Sequence, residues 1–419
     1  MGVFGSNPEG TGGMGRHSAL FSSRRRSVFA SSAALIGAPC QPFAFASIAL
    51  TGPRLRTTHC DAASLRRAAR LRGLTLGRDA AYLSPSAATC VALHHDSPMQ
   101  ILFADYDFPD IELEREIFAG AGLDLKLAKC TQEAQVIEAA RGCAGILLQY
   151  APITAGVVAA LPELGVVSRI GAGFDTVDVE ACRAHGVWVA NSPDYGVGEV
   201  ATHALALALA SLRNVVRYHD DIRGDRWHYL SSGTLRRPAE LTLGIVGLGR
   251  IGKRMAHVAR NAFKRVVAFD PLLIDGDFPA YVERAHSLEA LAGQADVVSL
   301  HTPLDATTRG MIGAGFFAAA KPGLTLVNTS RGAVVDLGHL LAALDAGILR
   351  GAALDVLPEE PVPRDSRLLA DPRVILTPHA AFYSVEAERE LRRKAAQNLV
   401  TWSRTGRPDY PVVQGTRKP

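Results

Sequence analysis

Apolar and polar positions are arranged differently on the two sides of residue 98. Beyond it, short apolar runs alternate with stretches in which apolar residues recur every three or four positions. Short apolar runs closed by Gly, Pro or Asp read as buried strands and the recurrent stretches as helices. Their regular alternation predicts parallel sheets joined by crossover helices. One set of strands is expected at residues 100–104, 123–128, 145–148, 166–170 and 187–190. A second is expected at 243–246, 265–269, 296–300, 324–327, 352–354 and 374–376. Between the sets, residues 197–212 carry Ala and Leu nearly all round, as a buried helix joining two domains does. A helix over about 384–401 is expected to cross back onto the first domain. The fold class that follows is α/β with two doubly wound parallel-sheet domains. One is discontinuous, over 99–197 and 380–419; the other covers 198–379, and the site lies in the cleft between them.

Residues 1–98 are of another kind, rich in Gly, Ser, Ala and Arg, with no sustained period. They hold eleven Arg, no Lys and four acidic residues, a formal charge of +7, which leaves −3 for the rest of the chain. The overall +4 therefore gives the main body no electrostatic reason to bind nucleic acid. Residues 28–53 are uncharged and follow Arg24-Arg25-Arg26; Arg25-Arg26-Ser27-Val28-Phe29 loosely resembles a twin-arginine signal, and Ala44-Phe45-Ala46 a cleavage site. The segment reads as a disordered extension, a targeting leader, or the product of a start upstream of Met99. Six cysteines without a C-x-x-C pair suggest neither a metal site nor a disulfide framework. After residue 98 no apolar run suits a membrane span.

Chemistry-bearing residues collect just after the second set of strands: Gly247, Asp270, His301, Asn328 to Arg331, Asp355, and Thr377 to His379. In open parallel sheets that edge holds the ligand. Gly247-Leu248-Gly249-Arg250-Ile251-Gly252 fits G-x-G-x-x-G. The glycines give a tight turn, close approach of backbone to a pyrophosphate, and close helix–strand packing, with the phosphates at a helix N-terminus. Alone the motif is weak; a strand before it, a helix after it and Asp270 at the end of the next strand make it a dinucleotide site. A carboxylate there accepts from ribose hydroxyls and repels a 2′-phosphate, which favours NAD over NADP.

Three further residues form a catalytic group. Arg331 suits a bidentate grip on a carboxylate. His379 suits a general acid, since histidine titrates nearest neutral pH. An acidic residue of Asp355-Val356-Leu357-Pro358-Glu359-Glu360-Pro361 suits the histidine's partner, because a carboxylate beside imidazole favours its protonated form. Glu360 is the first choice, with Glu359 as a rival. Together they suit reduction of a 2-oxo acid by hydride.

These residues resemble the D-isomer-specific 2-hydroxyacid dehydrogenase family over about residues 99–405. The resemblance rests on Arg169-Ile170-Gly171-Ala172-Gly173-Phe174-Asp175, the glycine motif, His301-Thr302-Pro303-Leu304, Asn328-Thr329-Ser330-Arg331-Gly332, the segment 355–361 and Pro378-His379-Ala380-Ala381. It implies a Rossmann NAD-binding domain, a flavodoxin-like substrate domain, and Arg331, Glu360 and His379 as catalytic residues, with Glu360 preferred over Glu359. The implied NAD contacts are Gly247, Gly249, Arg250, Ile251, Gly252, Asp270, His301, Thr302, Thr329, Ser330, Asp355 and His379. The implied substrate contacts are Tyr150, Ala151, Gly171, Gly173, Arg331 and Phe382, with backbone near Tyr150 and Gly171–Gly173 holding the carboxylate. Finer features at 149–154, 191–195 and 379–384 are similar to the branch containing the C-terminal binding proteins, corepressors that carry Trp where this chain has Phe382. The expected partner is a small 2-oxo or 2-hydroxy acid, with no metal, nucleic acid or membrane. The expected assembly is a homodimer in the cytoplasm. A corepressor-like NAD(H) sensor with little turnover is the alternative. About forty residues follow His379, too few for a C-terminal regulatory domain, so serine feedback is not expected.

Overall fold

The computed structural model describes residues 98–419; the readings made for the leader lie outside the described residues. Strands β1 (Gln100–Phe103), β2 (Asp124–Leu127), β3 (Gly145–Leu148), β4 (Val166–Arg169) and β5 (Trp188–Ala190) alternate with helices α1 (Glu112–Ala121), α2 (Glu133–Ala140), α3 (Ala155–Ala160) and α4 (Val179–Ala184). Helices α5 (Val197–Leu212) and α6 (Val215–Arg223) lead to the second set. There β6 (Thr242–Val246), β7 (Arg265–Phe269), β8 (Glu283–Arg284), β9 (Val297–Leu300), β10 (Leu324–Asn328), β11 (Leu349–Leu354) and β12 (Val374–Leu376) alternate with α7 (Arg250–Ala259), α8 (Leu288–Gln294), α9 (Ala314–Ala319) and α10 (Leu337–Asp345). Helix α11 (Val385–Thr405) and β13 (Pro411–Val413) close the chain.

The first sheet runs β13-β5-β4-β3-β1-β2, the flavodoxin-like order with one added edge strand. Its pairs are parallel except β13 on β5. The second sheet runs β12-β11-β10-β9-β6-β7-β8, all parallel, and its order reverses between β6 and β9. That reversal opens a crevice beyond the carboxyl ends of β6 and β9, where the glycine motif begins. Both expected sheets are present. Strands β8 and β13 were not anticipated: β8 is two charged residues, and β13 opens on a proline, tolerated because it lies at a sheet edge.

The central strands of each sheet are buried and mostly apolar, whereas the edge strands β2 and β8 carry charged, partly exposed residues. Helices α5 and α7 share one face of the second sheet, where Ala201, Ala204 and Ala208 pack near Ile245, Met255 and Ala256. Small alanines let α5 lie close to its neighbours, which is why the helix reads as Ala-rich. Helix α11 returns to the first sheet beside α1, burying Leu399 and Trp402 with Phe103 and Phe118. A Cβ on Gly165 would lie 2.3 Å from the Trp402 ring, so the connection from α3 to β4 needs glycine there. Arg392 of α11 donates two 2.8 Å bonds to the fully buried Glu114 of α1, fixing the register of the returning helix. No helix among the described residues is long and apolar enough to cross a membrane.

Candidate active site

The segments that join the two sheets, around 191–197 and 377–385, flank a cavity of about 370 Å³. Its wall takes Arg169, Gly173 and Phe382 from the first sheet side, and Gly249, Arg250, His301, Thr302, Thr329, Ser330, Arg331, Asp355 and His379 from the other. A larger hollow of about 730 Å³ lies beside Asn214, Arg350 and Asp371. It holds none of the glycine motif, so chemistry and not size identifies the site.

The glycine loop is built as its motif requires. Gly247 has φ 87°, and a Cβ on it would lie 2.7 Å from the His301 carbonyl oxygen. A Cβ on Gly252 would lie 2.1 Å from the Gly247 carbonyl oxygen, so the first turn of α7 packs directly on the loop. Nothing lies within 4 Å of a Cβ placed on Gly249, which leaves backbone accessible at the helix start. Asp270, at the end of β7, accepts from the Leu248 N–H at 2.8 Å and the Leu272 N–H at 3.0 Å. Asp270 stands in a neighbouring shallow hollow with Pro271, Arg284 and His286, away from the cleft wall. Around the cleft, His301 Nδ1, Thr302 Oγ1 and Thr329 Oγ1 are buried without a hydrogen-bond partner in the protein. Burial pushes the His301 imidazole down to about 4, so it is a neutral ring at ordinary pH. A glycine loop opening a helix, a carboxylate ending β7 and three unpartnered polar atoms are groups that fit a dinucleotide.

The catalytic candidates converge. Glu360 Oε2 lies 2.7 Å from His379 Nδ1, and Glu360 Oε1 accepts from the Leu357 N–H at 2.8 Å. Burial opposes the Glu360 charge, but the bonds from His379 and Leu357 outweigh it and hold the carboxyl below its usual value. Glu360 is not itself in the cavity wall; it stands behind the imidazole. His379 adopts φ 53°, a conformation costly for a side-chain-bearing residue, and its N–H donates to the Asp355 carbonyl at 2.8 Å. Asp355, buried at 2% exposure, accepts from Thr377 Oγ1 (2.6 Å), Ala380 N–H (2.9 Å) and Ala381 N–H (3.0 Å). It therefore organises the histidine loop, a role its expected place among the cofactor contacts did not describe. His203 of α5 bonds Thr377 Oγ1 at 3.1 Å, linking the interdomain helix to that loop.

Arg331 is set by Asn328, whose amide donates to the Arg331 carbonyl (2.9 Å) and accepts from the Ser330 N–H (3.0 Å) and hydroxyl (2.8 Å). Its Nε donates to Asp175 at 3.1 Å across the cleft. Burial disfavours the Asp175 charge, yet the Arg331 guanidinium draws its carboxyl below the usual range. A Cβ on Gly173 would lie 1.7 Å from an Arg331 nitrogen, so that loop must be glycine for the guanidinium to sit there.

Arg169 was missed as a site residue, although it stands in a quoted motif at the end of β4. Its Nε donates to the Gln149 carbonyl at 3.2 Å, not to a carboxylate. Burial, with the nearby Arg331 charge, pulls it below its usual value. The signal was a charge closing an otherwise apolar buried strand. Phe382 is in the wall, edge-to-face with Tyr195 at 6.2 Å between centroids. Tyr150, Ala151 and Gly171 are not in that wall, and the Tyr150 N–H is taken by Asp105 at 2.6 Å.

Comparison with known proteins places this geometry. Residues 205–381 match the D-isomer specific 2-hydroxyacid dehydrogenase, NAD binding domain, model. A glyoxylate reductase of Korarchaeum cryptofilum is 36% identical over 284 residues, covering 67% of this chain and 85% of its own. The D-lactate dehydrogenase of Aquifex aeolicus, solved with NAD and lactic acid, superposes with TM-score 0.68 at 26% identity, over 75% of this chain and all of its own. An NADPH-dependent glyoxylate/hydroxypyruvate reductase of Sinorhizobium meliloti, solved with NADP and malonate, gives TM-score 0.68 at 28% identity, over 77% of this chain and all of its own. The chain spans 88% of the length of a glycerate dehydrogenase of Methylorubrum extorquens and 46% of a D-3-phosphoglycerate dehydrogenase of Mycobacterium bovis. The chain belongs to the D-isomer-specific 2-hydroxyacid dehydrogenase family, with its NAD-binding domain within residues 205–381.

Proposed function

We propose that the chain is an NAD-dependent D-2-hydroxyacid dehydrogenase, with 198–379 as its cofactor domain and 99–197 with 380–419 as its substrate domain. The observation that carries this reading is the His379–Glu360 pair at 2.7 Å, in one cleft with Arg331 and the glycine loop. The nicotinamide cofactor, when bound, supplies or accepts the hydride. Arg331 grips the substrate carboxylate and polarises the adjacent carbonyl. Glu360 holds the proton on His379 Nδ1, which leaves Nε2 to deliver a proton to the oxygen during reduction and to take it back during oxidation. Arg169 adds a second cation on the opposite wall. Asp270 selects NAD over NADP by its charge at the ribose.

Exposed Val215, Val216 and Ile222 of α6, with Trp227, Tyr229 and Leu230 beyond it, form an apolar patch that a second copy of the chain covers in a homodimer. Free buried thiols at Cys130, Cys143 and Cys182 suit a reducing compartment, the cytoplasm.

The test is oxidation of NADH, and separately NADPH, with a panel of 2-oxo acids from glyoxylate to branched and aromatic members. Turnover with a preference for NADH is expected. Tight NADH binding without turnover of any member overturns the enzyme reading in favour of a nucleotide-sensing interaction protein. Tighter binding of NADPH overturns the role given to Asp270.

A further inference from the structure

Asp105 lies two residues past the end of β1 and is only 8% exposed. Its carboxylate faces no cation at bonding distance. Instead Oδ1 accepts from the Gln149 N–H at 2.9 Å and Oδ2 from the Tyr150 N–H at 2.6 Å. Burial raises the Asp105 carboxyl above its usual value, against the opposing pull of the Gln149, Tyr150 and Ala151 N–H groups. A buried carboxylate is costly unless hydrogen-bonded, so these backbone donors are what hold it there. The same loop is tied a second time, by the Asp107 N–H donating to Gln149 Oε1 at 3.2 Å. The Gln149 carbonyl, carried on this fastened loop, accepts from Arg169 Nε at 3.2 Å. Arg169 has that neutral anchor and stands in the wall of the cleft facing Arg331.

We propose that Asp105 is a positioning residue of the substrate-anion site: it fastens the 149–151 loop so that the Gln149 carbonyl orients the Arg169 guanidinium in the cleft. Asp105 itself touches neither cleft nor cofactor loop, and it acts through Arg169. A neutral amide at this position keeps one accepting oxygen and turns the other atom into a donor that opposes an N–H. The loop then loses one of its two fastenings, and the guanidinium loses its fixed direction. The inference rests on the dehydrogenase reading above.

A double-mutant cycle in the full chain tests it, with KM and kcat for the best 2-oxo acid and Kd for NADH by fluorescence. Asp105→Asn is expected to raise KM about tenfold, a coupling of about 1.4 kcal/mol, within the range seen for residues in one hydrogen-bond network. kcat should change by less than about threefold, and the NADH Kd should stay unchanged. In an Arg169→Met background, Asp105→Asn should add little to KM, because the group it positions is gone. Additive effects on KM, or a loss of NADH affinity equal to the loss in KM, overturn the proposal in favour of a general structural role. If Asp105→Asn is too unstable to assay, Asp105→Ser, a smaller acceptor, takes its place in the same cycle. A wild-type-like KM in the substituted chain overturns this inference alone, whereas absence of turnover by the unmodified chain overturns the dehydrogenase reading and this inference with it.

Discussion

The division of labour in the cleft follows from where each charge is held. Glu360 and Asp355 are both acidic residues near His379, yet they do different things. Asp355 spends its oxygens on Thr377, Ala380 and Ala381 and shapes the loop, whereas Glu360 meets the imidazole itself. His379→Ala is expected to lower the turnover number for reduction by about a hundredfold or more, as for loss of a positioned general acid, with the NADH Kd nearly unchanged. Steady-state kinetics beside a fluorescence titration checks this; a small effect removes His379 from proton transfer. Glu360→Gln tests the pair by pH. The bonds from His379 and Leu357 keep Glu360 ionised to lower pH than an ordinary carboxyl, so it stands as a negative charge 2.7 Å from the imidazole. Reduction consumes a proton, so its rate is expected to fall as pH rises. With a neutral amide the counter-charge is gone, and the fall should begin at lower pH. An unmoved pH–rate profile excludes Glu360 from the mechanism.

At the scale of elements, the site is made by strand ends and by how closely backbone can approach backbone. Strands β6, β9, β10, β11 and β12 each stop where a functional segment starts, so their parallel register aligns those segments along one edge. At the junction of β6 with α7, backbone packs directly on backbone. Gly252→Ala places a methyl 2.1 Å from the Gly247 carbonyl oxygen, and only backbone can give way. NADH affinity should fall more than about tenfold, at least about 1.4 kcal/mol, because the loop that meets the pyrophosphate is displaced. Calorimetric titration reads this directly. Unchanged affinity means that the loop is not the cofactor's cradle.

The whole molecule joins two sheets by two crossings, and both crossings border the cleft. At the crossings, Ser384 donates to Glu199 at 3.0 Å and Tyr195 packs on Phe382, so the elements that link the sheets also close the substrate side. All described elements begin at or after Gln100. A chain beginning at Met99 is therefore expected to fold, bind NADH and turn over like the full chain. Loss of NADH binding on truncation would give the preceding residues a structural part. The apolar patch of α6 and the segment after it belongs to the same scale. Ile222→Glu combined with Trp227→Ser should halve the mass measured by light scattering if that patch joins two copies. A dimeric mass in the double variant moves the interface elsewhere.

Strand and helix placement was legible because a buried parallel sheet leaves a plain mark: short apolar runs, each ended by a polar or Gly residue. The helix at 197–212 was found to the residue, since its face-independent Ala and Leu content has one physical reading. Glycine spacing, Asp270, Arg331 and His379 were legible for the same reason, as chemistry fixed to strand ends. The rest depended on contacts between segments far apart in sequence. Glu360 could be separated from Glu359 only by resemblance; in the fold it is Glu360 that meets His379, at 2.7 Å. Asp355 was expected at the cofactor and stands in the cleft wall; that its carboxylate also holds three groups from the next strand's end was not legible. Asp105 carries no local motif, and Arg169 opens a quoted motif in which it was given no role. Their roles come from bonds to Gln149, 20 and 44 residues away, which exist only once β1, β3 and β4 lie side by side. Local pattern determined which residues end each strand, and the packing of those ends against one another decided what each residue does there.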